Sequence, residues 1–478
     1  MAEAEERRWK WFWVAVVAGV GVRVLLIMGG LPQMLLSRPE VATPLTSLRR
    51  LAEGQWLKQL AMSPYAGSMY HASPLLLQIL GPLTVSITGG QTKELLCSLI
   101  FVFADLLGAL LLRHIGYILQ LTHMRSLTSL DLSKSVQMQG NLVAGDVAAL
   151  VYLWNPLAIA SCAGASVSSI ENLMILMALY GASTSNAPLA AFGWAMSTHL
   201  ALYPGLLFIP VIYLLGYGPD TPPRKLFRDL KQLVESTVDG AANSRPISGK
   251  DESENIQAGF CQYNFSWKPV RHFILWSAIW WMYILGLCSI SLRQHGGLKE
   301  MFKETYGFIL TVEDLSPNLG VFWYFFTEIF DFFRVFFLLV FHACVLFMVT
   351  PLTIRLSHRP CFLAFVFVAI TSMLKAYPSV GDSALYIGLL ALFIHELAGM
   401  RFSFFLLNGF VGIALLSAVM YNLWIWRGTG NANFYFATAL AYSSFQLILI
   451  VESVGTILRY DRSLRKVLNT KTLGEYND

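Results

Sequence analysis

The chain has 478 residues, 55% of them hydrophobic and only 13% charged, with a formal net charge of +5. That balance excludes an ordinary soluble domain, and recurrent uncharged runs near ~20 residues indicate a polytopic helical membrane protein. With no basic stripe and no folded soluble domain to carry one, the composition also argues against nucleic-acid binding.

Residues 1–10 carry Arg7, Arg8 and Lys10, and 11–30 form the first apolar run. The basic flank places the N-terminus in the cytosol, and the run reads as an uncleaved anchor. Segment 31–94 reads as an amphipathic and re-entrant stretch. Leu45, Leu48, Leu51, Ala52, Trp56, Leu57 and Leu60 recur at helical spacing opposite Arg49, Arg50 and Lys58, which suits a helix lying flat on the membrane. After the turn SPYAG and the stretch Tyr70-His71-Ala72-Ser73-Pro74, the apolar segment 75–87 is too short to cross. The second span, 95–112, buries Asp105 at a depth compatible with Arg23 of the first, so the two are candidates for an ion pair.

The connection 113–143 carries Arg113, His114, Arg125 and Lys134 and is expected in the cytosol. Residues 144–161 return outward through LWNP, a small-residue turn follows, and Glu171-Asn172 open the fourth span. Helices 188–201 and 204–217 meet at the hinge His199-Leu200-Ala201-Leu202-Tyr203-Pro204, where proline stops the first of them. Segment 218–271 is the one long cytosolic insertion. It holds a short basic amphipathic helix (Leu226, Phe227, Leu230, Leu233, Val234 beside Arg224, Lys225, Arg228, Lys231) suited to an anionic membrane surface, and a polar segment, 238–258, of disordered composition. The sequon at Asn264 faces the cytosol on this topology and stays unmodified.

Span seven covers 273–292, and an outer loop 293–318 leads to a long aromatic span, 319–351. That span carries Glu328, Asp331 and Arg334 three residues apart, so they can neutralise one another on one helical face. Spans at 360–376, 383–398, 402–425 and 434–458 follow, and a basic tail closes the chain. The reading is about twelve transmembrane helices with both termini cytosolic. It divides into an N-terminal half 1–217, the loop 218–271, a C-terminal half 272–458 and a tail 459–478. The six Cys are scattered without a CxxC pair, so neither a metal site nor a cofactor is expected.

All of the pointed polar loops (62–74, 162–172, 199–204, 311–318, 375–382 and 427–433) fall on the non-cytosolic side. Convergent loops of this kind build a site at the lumenal boundary. A transporter would instead show broken helices at the midplane within an internal repeat, and no repeat is evident. Asn431 and Asn433 stand at alternate positions before the aromatic start of the last span. Their carboxamides can donate to and accept from a phosphate or sugar without the desolvation cost of a charge. The alternative is that both only close the turn against their own backbone.

The segments SPYAGSMYHASPLLL, LWNPLAIASC, HLALYP, YGFILTVEDLSPNLGVFWYFFTEIF, LKAYPSVGDSALY and NANFYF, in that order, resemble the PIG-U family. These are multispanning subunits of the glycosylphosphatidylinositol (GPI) transamidase. The likeness runs from about residue 37 to about 460, interrupted mainly by the cytosolic insertion. It implies an all-α, GT-C glycosyltransferase-like scaffold in the endoplasmic reticulum membrane. It also implies as partners a cysteine-protease-like catalytic subunit, three further membrane subunits and the GPI glycolipid. Glycolipid contacts are expected at Asn431, Asn433, Lys375, Tyr377, Asp314 and His71.

The family is itself similar to dolichol-phosphate-mannose-using GPI mannosyltransferases. Where those carry an Asp-x-Asp motif this chain has Glu40-Val41-Ala42-Thr43-Pro44-Leu45. Where their hinge carries lysine it has Ala201, and their basic outer loop corresponds to Val312-Glu313-Asp314-Leu315-Ser316-Pro317. Glycosyl transfer needs a base and cations for the departing phosphate. The losses therefore favour a noncatalytic, glycolipid-binding subunit. Two rivals remain: an active lipid-linked glycosyltransferase with Glu40 as base, and a pure assembly scaffold.

Overall fold

A computed structural model describes residues 2–84, 91–130, 132, 143–223, 226–227, 265–294 and 296–474. The described residues are helical, with turns between the helices. In chain order the first are α1 (Ala2–Met28), α2 (Leu31–Leu35), α3 (Leu48–Gln59), α4 (Pro74–Thr84), α5 (Gln91–Ser129), α6 (Ala144–Trp154) and α7 (Pro156–Ala163). Then come α8 (Ser168–Ser183), α9 (Ala187–Ala201), α10 (Phe208–Tyr217), α11 (Trp267–Ser291), α12 (Gly297–Phe302) and α13 (Phe308–Thr311). The last are α14 (Phe322–Glu328), α15 (Asp331–Arg355), α16 (Pro360–Leu374), α17 (Val380–Leu390), α18 (Ser403–Tyr421) and α19 (Ala432–Gly474).

Among the described residues six helices are long and apolar enough to cross a membrane, or up to seven if α6 and α7, bent by 51° at Asn155-Pro156, count as one. α4, α10, α16 and α17 are apolar but shorter. The chain is thus a polytopic helical membrane protein. α4 covers the 11 residues 74–84, and 85–87 of the segment expected not to cross lie outside the described residues. α16 explains how a short helix can serve here. Residues Pro360 through Ser372 are all buried, so it sits inside the bundle and its length is not set by lipid thickness. Close packing rather than a solvent-driven hydrophobic term holds such a helix. The Asp220 carboxylate accepts from Cys361 N at 2.6 Å and Phe362 N at 3.0 Å, capping two amides of its first turn.

Arg23 and Asp105 form the anticipated pair, Nε to Oδ2 at 3.2 Å, and both are buried. Arg23 Nη1 also donates to Gly19 O (3.2 Å) and Leu153 O (2.7 Å), and Tyr152 donates to Asp105 Oδ1 (3.2 Å), so one charged cluster ties α1, α5 and α6.

Several expectations need correction. α5 continues past 112 to Ser129, and α19 runs past 458 to Gly474. The long aromatic span is broken at Ile329-Phe330, where extended backbone separates α14 from α15. That break disperses the charge cluster. Glu328 and Asp331 are exposed, whereas Arg334 turns back to donate to Thr311 O (3.2 Å) and Val312 O (2.8 Å) and lies over Phe326. Leu226 and Phe227 pack onto Leu127, Leu464 and Leu468 of the protein itself. The rest of the basic stripe, 238–258 and Asn264 lie outside the described residues.

Candidate functional site

The six polar loops do come together. His71 stacks on Phe308, ring centroids 3.7 Å apart, and Phe308 stacks on Tyr377 at 5.0 Å. This three-ring column joins loops 62–74 and 375–382 through α13. The Tyr377 hydroxyl accepts from Asp314 N (3.0 Å), adding loop 311–318. Tyr203 OH accepts from Ala376 N (3.0 Å), adding the hinge 199–204. Loop 162–172 enters through Val167 N to Thr46 O (3.1 Å) and through the Ser168 and Ser379 hydroxyls, 2.9 Å apart. Tyr324 of α14 donates to Asn433 Oδ1 and so ties in loop 427–433.

Local sequence explains the positions. Gly54 lets the next segment sit directly on α3: a Cβ there would fall 2.7 Å from the Tyr70 ring. Tyr70 in turn donates to Ser73 O (2.7 Å), fixing the backbone on both sides of His71. Gly381 does the same for α17, where a Cβ would meet that of Ser168 at 2.4 Å. Ser379 and Asp382 close a capping box at the start of α17. The hinge puts Leu202 at a φ of 60°, a conformation non-glycine residues avoid, which turns the chain so that His199 and Tyr203 face different partners. His199 Nε2 lies 2.7 Å from Ser73 Oγ and its Nδ1 2.8 Å from Tyr306 OH.

The expected contact residues separate into three groups. His71 and Tyr377 are buried in the column, where His71 Nδ1 also lies 3.1 Å from Glu304 O. Asp314 sits at its edge, half-buried, paired with Arg50 at 2.7 Å. Burial would raise the Asp314 carboxyl, but hydrogen bonding from Ser316 and the Arg50 guanidinium outweigh it and hold the group below the usual carboxylate range.

Lys375 points elsewhere. It is buried, bonds Asp382 Oδ1 at 2.6 Å, and lines a cavity of about 30 Å³ with Glu171, Tyr203 and Ala201. Its ammonium is neutralised inside the protein, so it fixes the 375–382 loop rather than presenting a charge at the rim.

Asn431 and Asn433 form the third group, and both are exposed. Asn431 Oδ1 accepts from Phe434 N at 3.3 Å, the helix-capping role of a turn asparagine. Asn433 instead reaches across to Tyr324, whose ring stacks on Phe436 at 4.5 Å. Behind them Trp323 and Trp424 lie near Tyr435, and Tyr435 OH donates to Glu40 Oε1 at 3.0 Å. Ser417 Oγ contacts the same Glu40 oxygen at 3.4 Å, and Glu40 O accepts from Val380 N at 3.0 Å. Glu40 is therefore a structural acceptor binding α18, α19 and the 375–382 loop together.

Reasoning from the sequence missed Arg50, Tyr324 and Phe308 as parts of this assembly. Periodicity alone puts Arg50 on the polar face of a flat helix. The other two sit in aromatic runs that show no polar partner in sequence. No group of three or more His, Cys, Asp or Glu among the described residues is arranged to hold a metal.

The comparisons agree with the ordered motifs. The family model for "GPI transamidase subunit PIG-U" matches residues 17–442. The chain is 30% identical over 452 residues to the human "GPI-anchor transamidase component PIGU", covering 92% of each. It is 27% identical over 437 residues to the Saccharomyces cerevisiae "GPI transamidase component GAB1", covering 91% of each. The Schizosaccharomyces pombe "GPI transamidase component GAB1 homolog" is also 27% identical, over 438 residues. This polytopic chain, with its six loops gathered at one end, belongs to the PIG-U family.

Proposed function

We propose that the protein is a noncatalytic subunit of a GPI transamidase complex that binds the GPI glycolipid and presents it for attachment to precursor proteins. The convergence of six separated polar loops onto one platform carries the reading. Such a platform, beside an aromatic cluster, suits a ligand with a polar head and apolar tails. The exposed Asn433 and Asn431 and the half-buried Asp314–Arg50 edge meet the head group, while His71, Tyr377 and Lys375 hold the loops that shape it. On this reading the protein lies in the endoplasmic reticulum membrane on a GT-C-like scaffold of about twelve spans, with its termini cytosolic and its platform lumenal. Its partners are a cysteine-protease-like catalytic subunit and three further membrane subunits.

Two observations weigh against a glycosyltransferase. Glu40, the residue available as a base, is engaged by Tyr435 and Ser417, and Lys375, which shares a cavity with Ala201 of the hinge, is neutralised by Asp382. The test is the double variant Asn431→Ala/Asn433→Ala in cells lacking the native chain. GPI attachment falls while expression and complex assembly stay intact. Normal attachment would leave the platform without a glycolipid role.

A further inference from the structure

The end of the molecule away from the platform holds a second site. α15 starts beside the platform, where Arg334 reaches Thr311 and Val312, and its 25 residues carry the chain about 37 Å to Arg355. α19 makes the same crossing: Asn433 and Arg462 are about 44 Å apart along its axis. The hydrocarbon core of a bilayer is about 30 Å thick, so both helices deliver these residues to the opposite membrane surface.

Between them lies a cavity of about 300 Å³. Arg355, Arg462, Arg465 and His358 line it together with the apolar Leu226 and Ile354. Asp461 also lines it, but its carboxylate is held by Arg359 at 2.7 Å and His358 at 2.9 Å. Its carboxylate is therefore engaged away from Arg355 and Arg462. Arg355 and Arg462 are exposed, and Ile354 is 73% exposed on the outward face of α15. The cavity thus brings exposed cations beside an exposed apolar side chain.

We propose that this cavity binds an anionic glycerophospholipid in the leaflet opposite the platform. The guanidinium groups take the phosphate, since their planar forks match its oxygens. Ile354 and the outer face of α15 take the first methylenes of an acyl chain. A free phosphate satisfies the cations but leaves the apolar side chain exposed, so the occupant is the lipid. The site is independent of the platform and of the glycolipid reading above. On the topology given by the basic flanks it faces the cytosolic leaflet, whose anionic lipids favour it.

The test uses the full purified chain and native mass spectrometry, titrated with phosphatidylserine or phosphatidylcholine. Phosphatidylserine carries no inositol and so does not imitate the glycolipid. The wild-type chain retains one phosphatidylserine at concentrations where phosphatidylcholine is not retained. Arg355→Gln/Arg462→Gln weakens that retention about thirtyfold, from roughly 1 kcal/mol for each cation near the surface. Both residues are exposed, so the fold persists. Arg459→Gln is the charge control, because Arg459 pairs with Glu452 outside the cavity, and it changes nothing. Equal retention by wild type and double variant, equal loss in the Arg459 control, or displacement of the lipid by inorganic phosphate would each overturn the proposal.

Discussion

Replacing Asp105 by leucine removes the partner of a guanidinium that is fully buried. Among the described residues Arg23 would keep Gly19 O and Leu153 O but lose its one carboxylate partner, and Nη2 already lacks a partner there. Breaking a buried ion pair from one side costs about 3–5 kcal/mol, because an uncompensated charge remains. Arg23→Leu strands Asp105 in the same way, leaving it neutral hydroxyl partners such as Tyr152 at 3.2 Å but no cation among the described residues. The double variant Arg23→Leu/Asp105→Leu removes both charges and places apolar groups between α1, α5 and α6. It should recover at least about 2 kcal/mol relative to the sum of the single losses. The assay is equilibrium unfolding of the purified chain in mixed detergent and SDS micelles, with all four proteins measured side by side. Strictly additive losses would refute direct coupling, and the cluster would then be incidental to the packing of these helices.

Two further outcomes follow from the platform. Asp314→Asn removes one charge of the Arg50–Asp314 pair, which is partly exposed, so overall stability should fall by no more than about 1 kcal/mol. Amide exchange should nevertheless quicken at residues 312–317, and unchanged protection there would mean that the pair does not order the loop. The two asparagines should separate as single variants. Asn433→Ala loses a head-group contact together with the link to Tyr324 and should impair GPI attachment more than Asn431→Ala, which loses a head-group contact and a helix cap worth about 1 kcal/mol of local stability. The reverse order in a cellular anchoring assay would contradict the geometry.

How much could be read in advance depended on whether a residue's partner was marked by charge, by periodicity or only by shape. Arg23 and Asp105 were legible because isolated charges in apolar runs must find each other. The polar loops were legible because Pro, Gly and Asn interrupt long apolar runs, and the structure gathers all six. The break between Glu328 and Asp331 was not legible. FTEIFDFF carries no Pro or Gly, and the interruption follows from Arg334 reaching the carbonyls of Thr311 and Val312. The fate of Lys375 was equally hidden: nothing local distinguishes a lysine at a rim from one closed in by Asp382 and Glu171. The His71–Phe308–Tyr377 column depends on ring stacking between residues far apart in the chain, for which a sequence has no period. Length is a weak guide where helices are buried, since α16 and α17 are short and pack inside the bundle.

The most direct test of a glycolipid-presenting platform is photo-crosslinking. A GPI analogue with a photoreactive group on its glycan would be added to the assembled complex, and the labelled peptides identified by mass spectrometry. Binding at the platform predicts labels in residues 311–318 and 427–433 of this chain that decline in the Asn431→Ala/Asn433→Ala variant. Labels confined to other subunits, or unchanged in that variant, would contradict it.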